Sequence, residues 1–157
     1  MKKIVFPDGK MLALTHAVFD YNGTLAVDGR LTDAVKQRLA DLAKELSVLV
    51  VTADTFGAAR EELSDVPSVG LHIIAPGNEA AQKADLVRAI GSDQTVCIGN
   101  GANDAEMFRL AALAIGVVGR EGACFRSLSQ VDVVTTGPVD AIELLLRPKR
   151  LIATLRS

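Results

Sequence analysis

A chain of 157 residues, 49% hydrophobic and 23% charged, with no Trp, has the length and composition of one globular domain, which excludes a mainly disordered state and a second full core. The 17 basic and 19 acidic residues leave a formal net charge of -2, too little to draw the whole chain to nucleic acid or anionic lipid. Cys97 and Cys124 are too few for a disulfide framework, and only Ile4 to Phe6 form an apolar run before Pro7, so a cytoplasmic chain with reduced thiols and no membrane partner is expected.

In chain order, Lys3-Phe6 and Met11-Thr15 flank the turn residues Pro7, Asp8 and Gly9 and predict an N-terminal β-hairpin at one edge. From Ala17 onward short apolar runs alternate with amphipathic stretches, the pattern of βαβ units around a mainly parallel sheet. Strands are predicted at Ala17-Phe19, Ser47-Val51, Leu71-Ile74, Thr95-Ile98, Ala114-Val117 and Val131-Val134. Helices are predicted at Thr32-Leu46, Thr55-Leu63, Asn78-Ile90, Asn103-Ala112 and Pro138-Leu146, with Thr32 as an N-cap, Gly91 as a stop and Pro138 in a first turn. The basic tail Arg147-Leu151 reads as a solvated helix end or an oligomer contact. His16 and His72 have no partner at metal-ligand spacing and read as structural or surface residues.

Chemistry concentrates at strand ends. Ligands of parallel sheets bind beyond the carboxyl ends of the strands, and Asp20 closes the run Val18-Phe19 there, although Asp20-Tyr21-Asn22-Gly23 taken alone reads equally as a β-turn. Thr52 closes the next strand, with a helix cap as its plain structural role. Lys83 lies in the early turns of a helix, where the positive helix end does not favour a cation. Thr95-Ile98 leads into Gly99-Asn100-Gly101-Ala102-Asn103-Asp104, a Gly-containing loop rich in oxygen donors. The order and spacing of the four together exceed what separate structural roles explain.

With DYNGTLA and GNGANDAEM the sequence resembles the haloacid dehalogenase superfamily of aspartate-nucleophile phosphotransferases, and within it the phosphorylation domain of P-type ATPases and its soluble relatives. The likeness runs from Ala17 to Leu146. It implies a single domain over 1-157 with a three-layer αβα Rossmann-like core. It also implies that Asp20 is the nucleophile, with Asn22, Gly23 and Thr24 on the rest of the first motif. Thr52, with Ala53 beside it, falls on the strand-end hydroxyl that contacts the phosphoryl group, and Lys83 on the lysine that neutralises it. Gly23 and Asn103 complete the implied substrate contacts. Asp20, the Asn22 carbonyl, Asn100 and Asp104 form the implied Mg²⁺ site. The expected activity is a Mg²⁺-dependent phosphatase or phosphotransferase working through an aspartyl phosphate.

Two departures shape that expectation. Asn22 stands where phosphatase branches carry the acid that protonates the leaving group and activates water, so hydrolysis of alkyl phosphates is expected to lose ~10²–10⁴-fold. Asn100 replaces a charged metal ligand, which leaves Asp104 as the critical remaining acid and predicts weaker metal binding. Both replacements keep open an alternative, a catalytically silent phosphate- or metal-binding module that regulates a protein partner. A receiver-type domain fits poorly, because the best acid follows the first core strand.

One helix and one strand consume each of the gaps between Thr24, Thr52 and Lys83, so no cap domain is expected and only Ala26-Leu31, with Asp28-Gly29 at its tip, forms a small flap. An open site of this kind suits a large substrate, such as a phosphoprotein or polymer end, or closure by a second subunit of a homo-oligomer; the expected partner is a phosphorylated small molecule or macromolecule, with no nucleic acid.

Overall fold

The computed structural model describes residues 1–54 and 57–156. Six parallel strands form the central sheet: β3 (His16–Asp20), β4 (Ser47–Thr52), β5 (Val69–Ile73), β6 (Thr95–Gly99), β7 (Leu113–Val117) and β8 (Val133–Thr135), in the spatial order β5-β4-β3-β6-β7-β8. The order reverses beside β3, so the crevice at its carboxyl end is a topological switch point. β1 (Lys2–Val5) and β2 (Met11–Leu14) form the expected antiparallel hairpin as a separate two-stranded sheet.

Strand alternation divides the core into two layers. Ala17 and Phe19 of β3, Val48 and Val50 of β4, and Val96 and Ile98 of β6 face one side, packed with α1 (Asp33–Leu42), α2 (Ala58–Leu63), α6 (Pro138–Leu146) and α7 (Pro148–Leu155). Val18, Val51 and Cys97 face the other, under α3 (Glu79–Ile90) and α4 (Ala105–Leu110). Burial on both faces explains why these strands read as continuous apolar runs. Cys97 is fully buried, and burial pushes its thiol far above the usual range.

Several boundaries differ from the predicted ones for local reasons. α1 starts behind Thr32, whose hydroxyl accepts from Val35 N–H at 3.3 Å, but ends at Leu42 rather than Leu46. Tight bonds from Lys44 N–H to Asp41 and from Glu45 N–H to Leu42 turn the chain so that Ser47 N–H reaches the Thr15 carbonyl at 2.9 Å. A 3₁₀ turn at Ala102–Asp104 precedes α4, which stops at Leu110 because Ala112 N–H is drawn into the sheet end by the Ser92 and Thr95 carbonyls. β8 begins at Val133, two residues late, because Asp132 folds its carboxylate onto Ala114 N–H at 2.8 Å. The predicted start of α2 at Thr55 lies outside the described residues.

Two helices were missed: α5 (Phe125–Leu128) and α7. The basic tail is a docked helix: Leu151 is fully buried, and Arg147 and Arg150 both pair with Glu143. Between β3 and β4 the chain holds one small flap and α1, and α2 and β5 are the described elements between β4 and α3, so among the described residues the sheet carries no cap domain. Among the described residues no helix is long and apolar enough to cross a membrane.

Candidate active site

The site is built at the carboxyl ends of β3, β4 and β6 and the start of α3. β3 delivers Asp20 into the crevice, and the chain then folds back on itself: the Tyr21 carbonyl accepts from Thr24, Leu25 and Ala26 N–H groups at 3.3, 3.0 and 3.0 Å. Gly23 makes this loop workable, because its φ is +76° and a Cβ there would collide with the Asn100 amide. The flap follows as a two-residue hairpin with φ of 51° at Asp28 and 76° at Gly29, and Tyr21 Oη holds its tip through the Gly29 carbonyl at 2.8 Å.

Thr24 is buried and its hydroxyl lies 3.0 Å from both Asp20 Oδ2 and Asn100 Oδ1. One proton thus joins the first motif to the Gly-containing loop. Thr52 ends β4, buried, with its hydroxyl accepting from Asp54 N–H at 3.2 Å. The cap of α2 is Asp54 rather than Thr52: its carboxylate accepts from Ala59 N–H at 2.8 Å and Arg60 N–H at 3.2 Å. The hydroxyl of Thr52 is therefore not consumed by that helix.

Lys83 is 1% exposed, with Nζ at 2.7 Å from both Asp20 Oδ1 and Asp104 Oδ1. The other Asp104 oxygen accepts from Asn100 N–H at 3.0 Å and Gly101 N–H at 2.9 Å, so this carboxylate pins the loop to α3. Gly99 is required for that approach, since a Cβ would overlap the Asp104 carboxylate. Burial, then the Asp104 charge, pushes Asp20 up to about 6, against the pull of Lys83 and Thr24. Burial would lower the Lys83 ammonium, but the two carboxylates raise it above its ordinary value. The buried unit is two acids sharing one cation.

Of the residues singled out in the sequence, Asp20, Asn22, Thr52, Ala53, Lys83, Asn100 and Asn103 line one cavity of about 530 Å³. Gly23 and Asp104 do not line it; Gly23 shapes the wall and Asp104, fully buried, stands behind it. Sequence reasoning missed Asp54, Glu79 and Gly101, which also line the cavity. Glu79 lies four residues before Lys83 on α3, a spacing that puts both on one helix face, and its Oε2 accepts from Asn103 Nδ2 at 2.7 Å. Among the described residues no group of three or more His, Cys, Asp or Glu side chains could hold a metal ion, so any cation here would be held by carboxylate, amide and backbone oxygens together. Such a donor set is hard and suits Mg²⁺.

No family model matches the chain. It is 34% identical over 84 residues to the uncharacterized protein MJ0073 of Methanocaldococcus jannaschii, covering 51% of this chain and 90% of that one, which places the two in one family. Over 120 residues it is 26% identical to the phospholipid-transporting ATPase NEO1 of Saccharomyces cerevisiae, a match spanning 76% of this chain and 9% of that protein. Among solved structures it is similar to the cobalt-bound deoxy-D-mannose-octulosonate 8-phosphate phosphatase YrbI of Haemophilus influenzae, with TM-score 0.69, 16% identity and coverage of 90% and 89% of the two chains. It is also similar to the 3-deoxy-D-manno-octulosonate 8-phosphate phosphatase of Moraxella catarrhalis in complex with magnesium, phosphate and KDO, with TM-score 0.65, 16% identity and coverage of 91% and 94%.

Proposed function

We propose that this chain is a member of the haloacid dehalogenase superfamily and a Mg²⁺-dependent phosphatase or phosphotransferase that forms an aspartyl phosphate on Asp20. The observation that carries the reading is the placement of Asp20 at a strand end, facing an open polar cavity, with Lys83 and Thr24 each bonded to one of its oxygens. An Asp20 oxygen attacks phosphorus, the bond from phosphorus to the ester oxygen breaks, and the leaving group departs with the electron pair as an alkoxide or phenolate that takes its proton from solvent. Lys83, the Thr52 hydroxyl and backbone N–H groups after Asp20 supply positive charge to the equatorial oxygens, which is most of what phosphoryl transfer requires.

Asp20, the Asn22 carbonyl and the Asn100 amide oxygen would hold the Mg²⁺, with Asp104 adding negative charge from behind the wall. When bound, the ion neutralises charge on the substrate phosphate and on Asp20. Asn22 neither gives nor takes a proton, so good leaving groups react fastest. The substrate is a phosphorylated small molecule or macromolecule admitted by the uncapped cavity.

A second reading has its own support. The Asn100 amide accepts from Thr24 and donates to the Gly122 carbonyl at 3.1 Å, and Lys83 and the Asn100 N–H engage the two Asp104 oxygens, so side chains and backbone of the protein itself hold the loop, as suits a silent binding module. Intact-protein mass spectrometry after incubation with acetyl phosphate or p-nitrophenyl phosphate and Mg²⁺ separates the two. A phosphoryl adduct lost in Asp20→Ala supports the enzyme; no adduct and no released product supports the module.

A further inference from the structure

Three carboxylates line the cavity, and they differ in what they have left to offer. Asp20 is the phosphoryl acceptor of the reading above and cannot take a proton from water while phosphorylated. Asp54 has one oxygen bonded by Ala59 N–H and the other by Arg60 N–H, as the cap of α2. Glu79 is tied at one oxygen only: Oε2 accepts from Asn103 Nδ2 at 2.7 Å, and Oε1 has no hydrogen-bond partner among the described residues. Its position four residues before Lys83 sets its Cα roughly 6 Å along the helix axis on the same face, and like Lys83 it lines the cavity, only partly buried where Lys83 is fully so. The short bond from Asn103 fixes the carboxylate, and Asn103 belongs to the same loop that Asp104 pins to Lys83.

Resting on the phosphatase reading, we propose that Glu79 is the general base for hydrolysis of phospho-Asp20 and Asn103 its positioning partner, so that α3 supplies the proton acceptor missing at Asn22. Water oxygen bonds to phosphorus as the bond from phosphorus to the Asp20 oxygen breaks and its electron pair returns to the carboxylate. The water proton passes to Glu79 Oε1. Inorganic phosphate leaves, and Glu79 releases its proton to solvent.

The test is rapid-quench kinetics with p-nitrophenyl phosphate and Mg²⁺ on wild type, Glu79→Gln and Asp20→Ala, following p-nitrophenol and the protein adduct separately. The Glu79→Gln amide keeps an oxygen for Asn103, so the loop contact survives. Glu79→Gln is expected to give a p-nitrophenol burst of about one per site, then turnover slowed by ~10²-fold or more with the adduct accumulating. In Glu79→Ala, added formate is expected to restore adduct loss. Adduct loss at the wild-type rate in Glu79→Gln overturns the proposal, as does disappearance of the burst, which would put Glu79 in the first step or in folding. Absence of both burst and turnover in the wild type overturns the phosphatase reading itself, and the proposal with it.

Discussion

Lys83 Nζ lies 2.7 Å from Asp20 Oδ1, and it makes an equally short contact to Asp104. The cation is 1% exposed and reaches the nucleophile from α3, while Asp104 comes from the loop after β6. A single ammonium thus closes the site and joins α3 to the Gly-containing loop.

Lys83→Met is therefore expected to do more than remove a phosphate contact. It leaves Asp20 and Asp104 buried together with no cation, and removing one partner of a buried ion pair costs about 3–5 kcal/mol. Urea denaturation at neutral pH measures the loss, and mass spectrometry is expected to find no phosphoryl adduct. Adding Asp104→Asn should recover part of the stability without recovering the adduct; a double variant no more stable than Lys83→Met would mean that the two carboxylates do not repel.

Asp20→Asn is expected to stabilise the metal-free fold. The folded Asp20 pKa, about 6, is above its ordinary value of 3.8, so between those values the native state binds more protons than the unfolded chain and stability falls as pH rises. The favourable contribution of the protonated acid is complete below pH 3.8 and lost above about 6, a difference on the order of a few kcal/mol. Thermal melts of both proteins from pH 4 to 8 without metal should diverge with rising pH. A gap that is the same at every pH would mean that Asp20 ionisation does not set it.

The strands, their parallel direction and most of the cavity lining were legible because buried parallel strands leave unbroken apolar runs and the polar residue that ends each run, as Asp20 ends Val18-Phe19, marks the crevice. Glu79 was harder to see: in the first turn of an amphipathic helix it reads as a solvated acid, and only its spacing to Lys83 hinted otherwise. For Asp104, expected among the metal ligands, spacing shows the residue type but not its hydrogen bonds, and Lys83 and two loop N–H groups engage both of its oxygens. α7 was missed because Arg147, Lys149 and Arg150 dominate the tail, while the single buried Leu151 that docks it is a weak signal.

The amide at Asn22 makes the leaving group decisive. Activated esters such as p-nitrophenyl phosphate are expected to react far faster than sugar phosphates, because Asn22 cannot protonate the departing oxygen. Asn22→Asp, which faces the same cavity, is expected to raise hydrolysis of alkyl phosphates by up to ~10²–10⁴-fold while changing the activated ester less. Steady-state kcat/KM for both substrate types checks this. Equal gains on both would place the effect in phosphate or metal binding rather than in proton transfer.

Asn100→Asp sets metal affinity against the stability of the empty loop. A carboxylate adds the charge that an amide oxygen lacks, so Mg²⁺ measured by calorimetry should bind more tightly. The same change replaces the Nδ2 that donates to the Gly122 carbonyl with an acceptor facing an acceptor, and it adds a third acid close to Asp20 and Asp104. The lost bond alone costs about 1–3 kcal/mol. The variant is therefore expected to melt below wild type without metal and to regain stability as Mg²⁺ is added, by an amount that grows with the logarithm of its concentration. If the metal-free melt is unchanged, the Asn100 amide does not hold the loop; if the melt falls and Mg²⁺ restores nothing, the cavity does not bind the ion through this position.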